Sequence, residues 1–141
     1  MSENTVPTAA IRRISQSELD AICARHDRLW QAKPGGARAV LAWLDLSGLS
    51  LRGRNLADAD FAAASLIGTD LSGAKLDNAT FFGADMQDCL LVDASLRRTD
   101  LRGACLRGAD LTGADLFEAD LREGTIAAAD AKLGFRIVEA K

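Results

Sequence analysis

Residues 99–121 read TDLRGACLRGADLTGADLFEADL and place a leucine at every fifth position. The same spacing of a large apolar residue runs from Leu41 to Ile126, and we call this residue the centre of each repeat. The 18 repeats cover residues 39–128 without an insertion. The residue two before the centre is small, usually alanine, and the residue one before it is commonly aspartate. Eight of the 12 glycines lie two positions after a centre, so a period of five dominates the chain.

A period of five is incompatible with the two common secondary structures. On an α-helix five residues advance about 500°, so successive centres would step by about 140° and spread around the helix. On a flat strand an odd period places successive centres on opposite faces. A chain that turns a corner of about 90° every five residues keeps every centre inside. Four repeats then close one coil, and coils stack at the strand spacing of about 4.8 Å.

This geometry assigns a place to each position of the repeat. The centre and the small residue two before it face inward, because side chains alternate along an extended segment. The aspartate faces solvent, and glycine occupies the corner, where a Cβ atom would add strain. Stacking coil on coil predicts that Phe61 lies over Phe81. The predicted core consists of Leu46, Leu51, Leu56, Phe61, Leu66, Leu71, Leu76, Phe81, Met86, Leu91, Leu96, Leu101, Leu106, Leu111, Leu116, Leu121 and Ile126.

The segments ADLTGADLFEADL (residues 109–121) and TDLRGACLRGADL (residues 99–111) follow the pattern A-[D/N]-L-x-x. With this pattern the chain resembles the pentapeptide repeat family over about two-thirds of its length. The resemblance implies an all-β solenoid, a right-handed four-sided β-helix. For 18 repeats this makes about four and a half coils. The resemblance also implies that such a protein can dimerise through its C-terminal end.

A helix is predicted before the repeats. Ser15 and Glu18 fit a capping box, in which each side chain satisfies a backbone N–H of the other residue. Pro34 and the glycines that follow it end the helix, which we expect to stop at Gln31. Its apolar face consists of Leu19, Ile22, Cys23, His26, Leu29 and Trp30.

We expect this helix to cap the solenoid, because an open coil end exposes unpaired backbone and core groups. Trp30 and Trp43 are its predicted packing partners. Leu44, Leu49 and Arg54 replace the small inward residue, so the first coil is expected to be distorted or wider.

Four segments follow from these patterns. Residues 1–15 form a flexible N-terminal segment, residues 16–38 the capping helix and turn, residues 39–130 the β-helix, and residues 131–141 a C-terminal strand or tail. In the last segment Leu133, Phe135 and Ile137 alternate with polar or small residues. This strand either covers the last coil or pairs with another subunit. We expect a homodimer through the C-terminal end.

Composition excludes several classes of protein. The 17 basic and 20 acidic residues leave a formal charge of −3, which argues against direct nucleic-acid binding. The sequence shows neither a secretory leader nor the apolar run of about 20 residues that a membrane helix needs. We therefore expect a cytoplasmic protein without membrane contact.

Few residues suggest catalysis or metal binding. Cys23, Cys89 and Cys105 are distant and odd in number, which argues against a disulfide framework or a zinc site. His26, the one histidine, lies on the apolar face of the helix and is interpreted as a packed residue. The glycines lack the frame of a phosphate loop, and the aspartate columns are interpreted as solvated edges rather than as a metal site. The sequence predicts no enzyme, no cofactor and no metal.

Two functions remain. Apolar residues occupy outward positions at Ile67, Phe82, Leu90, Val92 and Phe117, which favours a protein-interaction or scaffold module with an unidentified partner. Leu90 and Val92 share one wall and are the best candidate contact, with Phe82 and Phe117 on two others.

The alternative comes from the family resemblance, which implies a DNA mimic that binds a type II topoisomerase such as gyrase and modulates or protects it. From Leu41 to Ile126 we count 12 Asp and two Glu against seven Arg and one Lys, a net charge of −6. DNA of the same length, about 20 Å, carries about 12 charges. The rod has half that charge density, so we rank mimicry second.

Overall fold

The computed structural model of the chain describes residues 11–122. Strand β1 (Arg12–Arg13) is followed by helix α1 (Gln16–Trp30) and strand β2 (Leu44–Asp45). The two strands pair in parallel, with Arg12 opposite Leu44 and Arg13 opposite Asp45. The remaining described chain runs as short extended pieces separated by turns.

Backbone bridges show how these pieces stack. Every isolated bridge joins residues 20 apart and is parallel, from the pair Val40 and Asp60 to the pair Asp100 and Asp120. Within each repeat the N–H three residues after the centre donates to the carbonyl of the centre, as from Ala74 to Leu71 at 3.1 Å. One turn per five residues and one bridge per 20 give four walls per coil. The predicted β-solenoid is confirmed.

Each turn has a left-handed residue at its third position. All 16 such corners from Trp43 to Glu118 have positive φ, and eight of them are glycine. A positive φ at this position is the feature of a type II turn, which favours glycine because it has no Cβ atom. The other eight corners carry a side chain, and they are Trp43, Asp58, Ala63, Asn78, Asp88, Asp93, Arg98 and Glu118.

We name the four walls by their centres. Wall A contains Leu41, Phe61, Phe81, Leu101 and Leu121, and wall B contains Leu46, Leu66, Met86 and Leu106. Wall C contains Leu51, Leu71, Leu91 and Leu111, and wall D contains Leu56, Leu76, Leu96 and Leu116.

The core runs along the axis of the solenoid. The centres from Leu41 to Leu116 are all buried, and most of the small residues two positions before them are buried as well. Leu121 was assigned to the core from the sequence but is 36% exposed. Among the described residues it is the last centre of wall A, so a described coil covers it on one side only. Ile126 lies outside the described residues.

Helix α1 begins at the predicted cap. The Ser15 Oγ accepts the Glu18 N–H, and a Glu18 carboxylate oxygen accepts the Ser15 N–H. Leu19, Cys23 and His26 are buried against the first coil. Leu29 and Trp30, at the C-terminal end of the predicted apolar face, are about half exposed.

The two predicted packing partners, Trp30 and Trp43, are each about half exposed. Trp30 is 51% exposed and borders a recess with Gly53 and Arg54, at the corner between walls C and D. Trp43 is 52% exposed at the corner between walls A and B. The interior of this end is formed instead by smaller side chains, those of Ile14, Leu19 and Cys23.

Side chains from the N-terminal segment bond to the backbone of the first coil. Gln16 pairs with the backbone of Ser50 in both directions: its Nε2 donates to the carbonyl at 2.9 Å and its Oε1 accepts the N–H at 2.8 Å. Arg13 donates to the carbonyl of Ser47 at 2.7 Å. Arg54, in place of a small inward residue, forms an ion pair with Asp20 of α1 at 3.2 Å. These contacts resemble those that a preceding coil would make.

The first coil keeps the common register although Leu44, Leu49 and Arg54 are large. Its four bridges join residues 20 apart, as in the later coils. Leu44 and Leu49 are partly buried and pack against the core. The distortion expected from the sequence therefore does not affect the register.

No helix among the described residues is long and apolar enough to span a membrane. The predicted C-terminal strand with Leu133, Phe135 and Ile137 lies outside the described residues.

Candidate functional site

The outward apolar side chains lie on four different walls. Phe82 belongs to wall A, Ile67 to wall B, and Phe117 to wall D, whereas Leu90 and Val92 share wall C. Leu90 and Val92 flank the buried centre Leu91, so their side chains point out of the same wall. They are the one pair of these residues that a single repeat brings together.

Leu90 and Val92 border a shallow recess of about 540 Å³ on wall C. We call it the wall C recess. Its lining residues are Arg52, Gly53, Ser72, Gly73, Leu90, Val92, Asp93 and Asp110.

The recess exists because short residues lie between longer ones. Ser72 and Gly73 occupy the coil between Arg52 on one side and Val92 on the other. Ser72 is only 7% exposed although its position faces outward. Coils are about 4.8 Å apart, so Arg52 and Val92 stand about 10 Å apart across the floor of the recess.

The exposed apolar residue sits in a column of otherwise polar residues. Leu90 is bridged to Asp70 in the preceding coil and to Asp110 in the following one. Ser50 completes this outward column in the first coil. Leu90 is 40% exposed, so the column presents an apolar surface between two carboxylates.

The carboxylates around the recess differ in their partners. Asp70 accepts the backbone N–H of Ser72 and a hydrogen bond from Arg52 at 3.2 Å. The Ser72 N–H is the main cause that holds the pKa of Asp70 below its usual value. Burial opposes it, and the Ser72 hydroxyl and the Arg52 guanidinium add smaller lowering effects. Asp110 accepts both the N–H and the hydroxyl of Thr112.

Asp93 is the third carboxylate of the recess. It occupies a corner with φ of 59°, and its Oδ1 lies where a Cβ atom on Gly113 would stand. Within residues 11–122 no ion pair involves Asp93. Its charge therefore remains available at the edge of the recess.

Phe82 and Phe117 are covered by arginines. The Arg102 guanidinium lies 5.3 Å from the ring centre of Phe82, and that of Arg97 lies 4.6 Å from the ring centre of Phe117. Arg98 adds a second cation to Phe117 at 5.6 Å. Such cation–π contacts occupy at least one face of each ring. Phe82 remains 49% exposed and Phe117 38%, so Leu90 and Val92 are distinguished by sharing one wall and one recess rather than by greater exposure.

The outward aspartates stabilise the turns between walls, a role that was not predicted from the sequence. In all eight described repeats with an aspartate before the centre, its carboxylate accepts the backbone N–H two positions on, as Asp60 does from Ala62 at 2.9 Å. Asn55 does the same for Ala57. This is an Asx turn, which needs a short side chain with an acceptor atom. The preference for Asp, Asn, Ser and Thr at this position was the signal.

Arginines pair with the carboxylates of wall A. Asp100 and Asp120 stack on adjacent coils, as the register predicts. Arg102 contacts Asp100 at 2.8 Å and Asp120 at 3.9 Å, and Arg122 donates to Asp120. The Arg122 side chain, with its backbone N–H, lowers the pKa of Asp120 to about 2. The column thus alternates charge rather than presenting a run of free carboxylates.

His26 is fully buried and both ring nitrogens are engaged. The Ala39 N–H donates to Nδ1 at 2.9 Å, and Nε2 lies 2.9 Å from the carbonyl of Ala57. Because Nδ1 accepts, the proton belongs on Nε2, which donates to the carbonyl. This histidine joins α1 to the first coil and has no free nitrogen for catalysis.

The three cysteines are buried, and none forms a disulfide with another described cysteine. Burial raises the pKa of Cys23 to about 11 and that of Cys89 to about 12, so both are protonated near neutral pH. Cys105 takes an outward aspartate position yet is only 6% exposed. Across residues 11–122, no group of three or more His, Cys, Asp or Glu residues could hold a metal ion.

A family model for pentapeptide repeats matches the chain with 8 copies, over residues 37–73, 45–81, 55–91, 79–116 and 94–125. These segments together span residues 37–125, more than half of the chain. The chain therefore belongs to the pentapeptide repeat family.

Solved structures of the same kind are similar to the chain. A pentapeptide repeat protein from the thylakoid lumen of Arabidopsis thaliana is 37% identical with a TM-score of 0.56, covering 57% of this chain and 55% of that one. HetL, from the cyanobacterium Nostoc sp. strain PCC 7120 and involved in the regulation of heterocyst differentiation, is 38% identical with a TM-score of 0.48, covering 59% and 43%.

A second Nostoc PCC 7120 pentapeptide repeat protein is 23% identical with a TM-score of 0.59, covering 81% of this chain and 88% of that one. The chain thus spans about half the length of the first two structures. No curated protein matches the chain.

Proposed function

We propose that the protein is a non-enzymatic interaction module that binds a partner protein through the wall C recess. One observation carries this proposal: Leu90, in a column otherwise made of Ser50, Asp70 and Asp110, is 40% exposed beside Val92. Burying this apolar surface would contribute about 25 cal/mol per Å² removed from water. The rigid stacked coils hold the contact residues in place before binding, which lowers the entropy lost on association.

The state of the titratable groups supports a role without catalysis. General acid–base catalysis needs a group that can reach a proton on a substrate. Both nitrogens of His26 are bonded to backbone, and the thiols of Cys23 and Cys89 are buried and protonated. Buried cysteines that form no disulfide with one another suit a reducing compartment, which supports the expected cytoplasmic location.

We further propose that α1 is the N-terminal cap of a right-handed, four-sided β-helix of four to five coils. The support is the set of side chains that bond to backbone of the first coil: Gln16 to Ser50, and His26 to Ala57 and Ala39. Without these partners the edge would expose a template for pairing with another chain.

A homodimer through the C-terminal end is part of the same proposal. It is supported by the alternation of Leu133, Phe135 and Ile137 with small or polar residues. The double substitution Phe135→Asp with Ile137→Asp should give a folded monomer, seen as half the molecular mass in light scattering. An unchanged mass would contradict this interface.

Mimicry of DNA toward a type II topoisomerase is the second candidate, and the stacked carboxylates of Asp100 and Asp120 favour it. Arg102 and Arg122 weaken it, because they pair with these carboxylates whereas the phosphates of a duplex form an unbroken line of charge. A supercoiling assay with purified gyrase separates the two functions. Inhibition or protection at micromolar protein would reverse our order, and no effect at high micromolar concentration would remove mimicry.

A matched pair of variants tests the proposed function. Leu90 and Ile67 are each 40% exposed but lie on walls C and B. We expect a protein retained from native lysate by the wild-type chain to be lost with Leu90→Asp and kept with Ile67→Asp. Both variants are first checked for a native unfolding transition. Equal retention by all three proteins would show that the wall C recess is not the binding surface.

A further inference from the structure

The wall C recess has an apolar side, next to which lie negatively charged side chains. Leu90 and Val92 supply the apolar part, and Asp93 and Asp110 lie beside them in the lining. At the other edge, the positive charge of Arg52 is engaged by Asp70 at 3.2 Å. These four charged side chains are three aspartates and one arginine, so acidic side chains outnumber basic ones at the recess.

This combination restricts what can bind there. A purely apolar side chain on Leu90 would remove water from the neighbouring carboxylates without replacing its hydrogen bonds, which is unfavourable. An acidic or phosphorylated segment would be repelled by Asp93 and Asp110. A long side chain with an aliphatic stem and a positive end matches both parts of the surface.

The dimensions of the recess agree with this choice. The floor formed by Ser72 and Gly73 is about 10 Å wide between Arg52 and Val92, which is two coil spacings. That width admits one extended segment with a long side chain. Asp93 stands at the corner, where its carboxylate can meet the end of that side chain from solvent.

We infer that the wall C recess takes a lysine or arginine side chain from an extended segment of the partner protein. The stem lies on Leu90 and Val92 and the charge faces Asp93 and Asp110. This inference rests on the proposed function and adds the chemistry of the partner. The attraction is screened by salt, since the carboxylates are close to solvent.

Asp88 provides a matched control for Asp93. Both are corner residues, with φ of 57° and 59°, and each places its Oδ1 where a Cβ atom would stand on a glycine of the next coil, Gly108 or Gly113. Asparagine tolerates this left-handed conformation. Asp93→Asn and Asp88→Asn therefore remove the same charge in the same backbone geometry, at the corner between walls C and D and at the corner between walls B and C. Asp93 lines the wall C recess and Asp88 does not.

The probes are two capped pentapeptides, one of alternating leucine and arginine and one with glutamate in place of arginine. Methyl signals of isotopically labelled full-length protein report binding at Leu90 and Val92. We expect the arginine peptide to shift these methyls and the glutamate peptide to leave them in place. Asp93→Asn should raise the dissociation constant about two- to fivefold, the usual range for a solvent-exposed charge pair. Asp88→Asn should leave it unchanged.

Three results would overturn the inference: no shift of the two methyls by the arginine peptide, equal shifts by both peptides, or equal binding by the two asparagine variants. Failure of this inference can be distinguished from failure of the proposed function. If Leu90→Asp loses a captured protein that both asparagine variants retain equally, the recess binds a partner but not through a basic side chain. If Leu90→Asp loses nothing, the proposed function itself is wrong.

Discussion

The ring of Phe61 lies flat on the ring of Phe81, with centroids 4.7 Å apart and planes within 5° of parallel. The two residues are 20 apart in sequence and occupy wall A on adjacent coils. The separation of the ring centroids lies within the range of about 4.5–7 Å that aromatic pairs prefer. Here the coil spacing of about 4.8 Å sets the separation, so the backbone ladder determines how the side chains meet.

Truncating the stacked ring should be costly. Phe81 is fully buried between Phe61 and Leu101 on wall A. Phe81→Ala should lower the free energy of unfolding by about 3–5 kcal/mol, because a large cavity remains in a rigid core. Urea denaturation measures the change. The exposed Ile67→Ala is the control, with an expected change within about 0.5 kcal/mol. A loss below about 1 kcal/mol for Phe81→Ala would contradict burial between coils.

Two glycine corners should respond differently to the same substitution. Gly53 has φ of 69° and open space at its Cβ position, so Gly53→Ala should cost about 1 kcal/mol from conformation alone. Gly113 has φ of 72°, and there a Cβ atom would meet the carboxylate of Asp93. Gly113→Ala should therefore be the more destabilising of the two.

A double-mutant cycle isolates that contact. Combining Gly113→Ala with Asp93→Gly should recover part of the loss, with a coupling energy of about 0.5–3 kcal/mol for residues in contact. Thermal unfolding of the four proteins gives the value. Additive effects would show that Asp93 does not lie over Gly113.

The histidine that joins α1 to the first coil should be sensitive to loss of its nitrogens. His26→Phe keeps a ring but leaves the Ala39 N–H and the Ala57 carbonyl without their partner. Each unsatisfied buried group costs about 1–3 kcal/mol. We expect a clear fall in the unfolding midpoint, whereas Leu29→Ala on the same helix, at a residue 47% exposed, should change it little. Similar midpoints for both variants would mean that the histidine only fills space.

The carboxylate of Asp120 should titrate unusually low. Its pKa of about 2 comes first from the Arg122 side chain and then from the Arg122 backbone N–H. Because the folded pKa lies below the ordinary 3.8, this carboxylate stabilises the fold above about pH 3.8 and loses that effect as the pH falls toward 2. Arg122→Gln should move the pKa up toward 3.8, as followed by carboxyl NMR signals. An unmoved value would assign the shift to the backbone alone.

Much of the architecture could be predicted because the period of five is a geometric constraint. It leads from Leu41 onward to the 20-residue register and places Leu90 and Val92 on one wall. The start of helix α1 could also be predicted, since the hydrogen bonds between Ser15 and Glu18 join residues close in sequence. At corners that carry a side chain, such as Trp43 and Arg98, the turn could be predicted only from the position of the residue in the repeat.

The features that could not be predicted from the sequence depend on contacts between coils. The recess needs Ser72 and Gly73 to lie between Arg52 and Val92, which is visible only after stacking. The arginines over Phe82 and Phe117 depend on side-chain directions. The two bonds of His26 join residues 13 and 31 positions away in the sequence. The exposure of Trp30 likewise depends on tertiary packing that the helical pattern does not specify.

The bonds that Gln16 and His26 make to the first coil bear on how such rods assemble. A rod with two free ends can add a neighbour at each end and grow into a filament, because the head-to-tail contact never closes. Here the chain itself occupies the backbone groups at the amino-terminal edge. Under the proposed C-terminal interface, end-to-end growth would therefore stop at a symmetric pair.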